Sequence, residues 1–169
     1  NSLGKSLAIS KDGNRAVIGG DSGRTFVIEY TGSYWSQLGS NFTTPYSIHA
    51  VGISGDGLVV YLNESTDLYS FEYSGGSWVE YAAQMYIGYW LASDKQNGIG
   101  PSLNGDYVSL AAESDYYSSS VYKLSVTSGH TYYTPNYYNL YTPGHNIKVS
   151  GGGNRIVTAE PNWNSGMGK

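Results

Sequence analysis

Four times along this chain an apolar stretch runs into a small polar turn and out into a second apolar stretch. The copies occupy residues 7–18, 51–62, 99–110 and 147–158. Their turn glycines are Gly13, Gly57, Gly105 and Gly153, spaced 44, 48 and 48 residues apart. A period of about 40–50 residues made of short strands is the mark of propeller blades or similar β arrays. That spacing restricts the fold more than any single residue does.

Each repeat holds further strand signals. In the first copy a polar loop at residues 19–23 leads to a β-branched and aromatic run at 25–30. A turn at 31–34 follows, and Trp35 opens the last strand. In the second copy Glu72, Tyr73 and Trp78 repeat Glu29, Tyr30 and Trp35 at a distance of 43 residues. The third copy keeps the run at 121–126 and the turn at Ser128 and Gly129, with Tyr132 or Tyr133 expected where the Trp stood. Runs of this length bounded by Gly, Asn, Asp and Ser are strand-and-turn chemistry. No window carries a capped 3.6-residue apolar period, so helix is expected to be scarce. The pattern predicts an all-β fold: an array of four-stranded antiparallel blades, a β-propeller or part of one. Two packed sheets would also suit the composition, but a sandwich has no reason to repeat a turn and a Trp at a fixed interval.

The expected organisation is a single β-repeat domain with repeats at approximately 3–46, 47–90, 91–141 and 142–169, the last incomplete. Residues 168–169 align with Gly23 and Arg24, so the third and fourth strands of repeat four have no counterpart in the sequence. An unfinished sheet leaves an edge that invites pairing. Either downstream chain or a neighbouring molecule is expected to complete it. The expected partners are therefore other copies of this chain or the remaining blades of a longer one.

Charged residues make up 13% of the chain, about half the usual share, while Tyr numbers 18 and Gly 23. Low charge with abundant Tyr, Ser, Thr and Asn fits an extracellular or cell-surface setting. Cys is absent, which excludes a disulfide framework, thiolate catalysis and a cysteine metal site. Asn41 and Asn63 open two N-glycosylation sequons at predicted loop or strand-end positions. A net charge of −4 and nine scattered basic residues offer no stripe for nucleic acid. The apolar runs are strand-sized, so membrane insertion by a helix is not expected.

The blocks at residues 8–13 and 52–57, with 17–20, 26–30 and 35–39, resemble the FG-GAP family of integrin-α-like β-propeller blades, above all its secreted microbial and protist variants. The likeness is strong in the first two repeats and loose in the third. It implies a propeller fold and a role as an extracellular adhesion, lectin-like or surface-architecture module. One departure matters. Calcium-binding blades of that family carry closely alternating carboxylates, because calcium wants six to eight oxygens. Here the turns offer Asp12, Asp56, or Asp106 beside Asn104, and no acid at residues 151–153. Asp12 and Asp56 are expected to shape turns ahead of a glycine, with no metal and no cofactor bound.

Catalytic signals are thin. His49, His130 and His145 fall at unequal offsets in different repeats, and Gly4, Lys5 and Ser6 lack the glycine and helix of a phosphate loop. The chain is expected to be non-enzymatic, a structural or adhesion module of a surface or filamentous assembly. Tyr132, Tyr133, Tyr137, Tyr138 and Tyr141 cluster between repeats three and four. Aromatic rings with hydroxyls suit a protein interface or glycans, so a carbohydrate-binding role is the alternative. The same rings would also serve to cover the flanks of adjacent blades.

Overall fold

The computed structural model describes residues 3–64, 66–86, 99–101, 103, 105, 107–110, 119–127, 130–140, 146–152 and 155–159. The runs between glycine turns form strands, and no α-helix occurs among the described residues. The first sheet contains β1 (Leu3–Ile9), β2 (Arg15–Gly20), β3 (Arg24–Tyr30) and β4 (Trp35–Gln37), hydrogen-bonded in that order. A two-residue strand, β5 (Phe42–Thr43), pairs with the start of β3, which β4 leaves uncovered. The second sheet contains β6 (Ile48–Ile53), β7 (Val59–Glu64), β8 (Asp67–Ser74) and β9 (Ser77–Tyr86). The third runs β10 (Ile99–Pro101), β11 (Tyr107–Leu110), β12 (Ser119–Thr127) and β13 (His130–Leu140). A hairpin of β14 (Asn146–Val149) and β15 (Ile156–Ala159) follows, with Asn146 opposite Ala159. All pairings are antiparallel, and each four-stranded sheet is one meandering blade.

The turn between the first two strands is built the same way in the first and second blades. Ser10 donates its hydroxyl to Asp12 Oδ1 at 2.6 Å, and that oxygen also accepts from Asn14 N–H at 3.0 Å. Ser10 Oγ in turn accepts from Arg15 N–H at 3.0 Å. In the second blade Ser54 donates to Asp56 at 2.5 Å, and Leu58 and Val59 close the same loop. Gly13 and Gly57 sit at φ +75° and +72°, left-handed backbone that a side chain disfavours. The two aspartates are thus turn-formers.

Hydrogen bonds from Ser10 and then Asn14 hold the Asp12 carboxyl below its ordinary value of 3.8. A carboxylate held low in the folded state stabilises that state above its unfolded value, and this is lost as pH falls through the folded value. Asp12→Asn is therefore expected to trail the parent chain in thermal midpoint at neutral pH. The gap should close as the medium is acidified below about pH 4. A gap that stays constant with pH would deny the charge this role.

Period-two alternation gives the first and second blades two apolar faces each. Val17 and Val27 of the first blade pack with Ile48, Val51, Ile53, Val60 and Leu62 of the second in one buried cluster. The opposite face of the second blade, with Ala50, Val59, Tyr61 and Leu68, packs on Ile99, Val108 and Leu110 of the third. Small residues let the sheets approach. A Cβ on Gly19 would lie 2.8 Å from Ile48 and Val51, and one on Gly52 would lie 2.7 Å from Ile99. The core therefore lies between blades, and no blade buries its apolar surface alone.

Candidate functional site

Successive turns are tied to one another. Lys11 N–H donates to the Gly55 carbonyl at 3.0 Å, Asp56 N–H to Leu103 at 2.7 Å, and Leu103 N–H to Gly151 at 3.3 Å. Side chains reinforce this ladder. Arg15 Nη1 donates to the Gly57 carbonyl at 3.3 Å, and the guanidinium lies 5.5 Å over the Tyr73 ring. Its Nε and Nη2 both meet Glu29 Oε1 at 2.8 Å. One blade later, Tyr61 donates its hydroxyl to the Gly105 carbonyl. Gly57 and Gly105 thus each receive a donor from the blade before.

A cleft of about 460 Å³ opens here, lined by Asp12, Asn14, Arg15, Glu29, Tyr30, Gly32, Asp56 and Leu58. Asp12 uses both carboxylate oxygens on Ser10 and Asn14, and Arg15 is held by Glu29 and Gly57. Among the described residues no three His, Cys, Asp or Glu side chains come together as metal ligands. The polar groups of the cleft fasten blades together.

The Trp positions make a second fastening. Trp78 donates its indole N–H to the Leu38 carbonyl at 2.9 Å and lies against Gly39, where a Cβ would come within 2.9 Å of the ring. Tyr73 backs it, with ring centroids 5.1 Å apart and planes at 49°. Trp35 and Tyr30 form the same pair on the first blade, at 5.5 Å and 49°. The two Trp residues therefore occupy equivalent places, as their spacing predicts. The third-blade expectation is corrected. There the pair in register with Tyr73 and Trp78 is Val126 and Thr131, whereas Tyr132 and Tyr133 pair with Ser125 and Leu124.

What separates the two Trp pairs is cover. Trp78 is wedged against the first blade, while Trp35 is 44% exposed and Tyr30 40%. On the same face Leu3 and Leu7 are 56% and Ile9 58% exposed, Ile18, Phe26 and Ile28 are half-buried, and Ala16 is buried. Leu7 pairs with Ile18 and Ile18 with Phe26, while Ile9 pairs with Ala16 and Ala16 with Ile28, so these side chains share one face. Position by position they match Val51, Leu62, Tyr69, Ile53, Val60 and Phe71, which bury themselves against the first blade. Contiguous exposed apolar surface of this kind marks an interaction site. This face is the candidate functional site.

The other expected site residues are dispersed. Tyr132, Tyr133, Tyr137 and Tyr138 lie along β13, the outermost strand of the third blade. Tyr141, Gly153 and residues 160–169 lie outside the described residues. Asn41 is exposed, its Oδ1 accepting from Gln37 at 2.7 Å. Asn63 is fully buried and its amide donates to the Asp67 carbonyl at 3.0 Å, so Asn41 is the sequon whose side chain reaches the surface.

No known family profile matches the sequence, and no curated protein does. Solved structures do share the fold. A functionally unknown protein from Desulfotomaculum acetoxidans superposes with a TM-score of 0.60 at 14% identity, over 90% of this chain and 45% of that one. Hydrazine synthase from Kuenenia stuttgartiensis gives 0.62 at 14% identity, over 96% and 43%. A Bacteroides uniformis protein provisionally named a 6-phosphogluconolactonase gives 0.61 at 12% identity, over 99% and 52%. The chain spans about half the length of these structures. Their fold is propeller-like, and so is that of this chain. One expectation is overturned here. The thin catalytic motifs pointed to a protein without enzymatic activity, yet chains of this fold carry provisional enzyme names. Neither the fold nor a missing motif is ground for excluding catalysis.

Proposed function

We propose that the chain is a structural module of a surface or filamentous assembly, in which further blades stack on the uncovered face of the first blade. The observation that supports this is the match between that open face and the covered face of the second blade. Leu7, Ile9 and Trp35 repeat the positions that hold two blades together, and they are 56%, 58% and 44% exposed. The resemblance of residues 8–13 and 52–57 to FG-GAP blades supports the same reading and an extracellular or cell-surface setting.

Sedimentation velocity across a range of concentrations tests it. The parent chain is expected to associate as concentration rises. Leu7→Asp should weaken association by at least about tenfold, since a buried Leu contributes roughly 1.5–3 kcal/mol. Leu7 is exposed in the single chain, so the variant should keep its fold, read as an unchanged thermal midpoint in dilute solution. A parent chain that stays monomeric at every concentration would overturn the proposal.

A further inference from the structure

Resting on the assembly reading above, we infer that the occupant of the first-blade face is the fourth blade of a second copy, whose Arg155 seats on the Gly13 carbonyl and the Tyr30 ring.

The inference comes from comparing what each blade gives to the next. The residue two places after the turn glycine faces the turn glycine of the next blade in blades one and two, as Arg15 and Val59, and the same position holds Tyr107 and Arg155 in blades three and four. The receiving side is the turn glycine and the Tyr of the Tyr–Trp pair. Arg15 meets Gly57 and Tyr73 in this way. Val59 meets Gly105, where a Cβ would lie 2.8 Å from its methyl, and the third blade has Val126 in register where the second has Tyr73. Arginine thus goes with an aromatic pair, and valine goes with a blade that lacks one.

Arg155 is the only other arginine at the donor position. Its backbone is set as Arg15 is: Ser150 N–H donates to its carbonyl at 2.8 Å, and Arg155 N–H donates to Ser150 Oγ at 3.1 Å. The matching distances at Ser10 and Arg15 are 2.8 and 3.0 Å. Arg155 is exposed. It calls for a blade with a Tyr–Trp pair, because a guanidinium gains most from a carbonyl acceptor together with an aromatic face. The Tyr73–Trp78 pair of the second blade is already engaged by Arg15 and Leu38. The Tyr30–Trp35 pair of the first is open, and a Cβ on Gly13 would meet nothing within 4 Å. The turn ladder points the same way, since Lys11 stands where Gly55, Leu103 and Gly151 accept. Such a contact joins different surfaces of two identical chains, a head-to-tail arrangement.

Complementation between two damaged surfaces tests this. Leu7→Asp spoils the receiving face and leaves the fourth blade intact; Arg155→Glu spoils the donor and leaves the first blade intact. Each alone is expected to remain monomeric at concentrations where the parent associates. An equimolar mixture is expected to form heterodimers through the one sound contact. Arg155→Ala should weaken self-association roughly tenfold, as expected for losing a charged hydrogen bond. If Arg155→Glu associates like the parent while Leu7→Asp does not, the fourth blade is not the occupant and the inference fails, although the assembly reading survives. If the parent never associates, both fail.

Discussion

Gly23→Ala is expected to destabilise the chain by about 3–5 kcal/mol, combining left-handed strain with an overpacked contact. Gly23 closes the 3-10 turn Asp21–Gly23 at φ +68°. A Cβ there would fall 1.9 Å from the Thr44 carbonyl oxygen and 2.7 Å from its nitrogen. These are backbone atoms, and Thr44 N–H is bonded to the Gly23 carbonyl at 3.1 Å, so the neighbour cannot step aside without losing that bond. Gly13→Ala is the control. Its φ of +75° is as unfavourable but the space around it is open, so about 1–2 kcal/mol of backbone strain is the whole expected effect. Urea denaturation under monomeric conditions separates the two. Equal losses would show that the Thr44 contact is relieved cheaply.

A second large loss is expected at Tyr61, the largest fully buried side chain among the described residues. Its ring lies in the cluster shared by the second and third blades, and its hydroxyl is bonded to the Gly105 carbonyl. Tyr61→Ala should cost about 3–5 kcal/mol through lost burial and the cavity left behind. Tyr61→Phe removes only the donor and should cost about 1 kcal/mol. Denaturation midpoints measured by both far-ultraviolet dichroism and tyrosine fluorescence check this. If Tyr61→Phe proved as damaging as Tyr61→Ala, the hydroxyl and not the ring would be what couples these blades.

The turns and their period were legible in the sequence because their causes are local. Ser10, Asp12 and Gly13 act within five residues of each other, and Ser54, Asp56 and Gly57 repeat them. The Tyr30–Trp35 and Tyr73–Trp78 pairs are likewise set by one hairpin each. The third blade was misread because Val126 and Thr131 keep the hairpin register but not the aromatic chemistry, which drew attention to the nearby Tyr132 and Tyr133. The site itself was not legible. Arg15 reaches a carbonyl 42 residues away, and Trp78 one 40 residues away. Nothing in a run of residues says which face of a strand meets the next blade. The burial of Asn63 belongs to the same class, since its sequon is local while its surroundings are not. The expectation that the chain has no enzymatic activity is overturned as a conclusion because it rested on missing motifs, and chains of the same fold carry provisional enzyme names.

The claim that blades stack on the open face is tested most directly by hydroxyl-radical footprinting as a function of concentration. In dilute solution Leu7, Ile9 and Trp35 should be oxidised readily, in keeping with their exposure. As the mass of the particle rises, all three should become protected together, while Tyr46, 68% exposed in the linker between the first two blades, keeps its reactivity. Association that leaves Trp35 as reactive as it is in the monomer would contradict the claim.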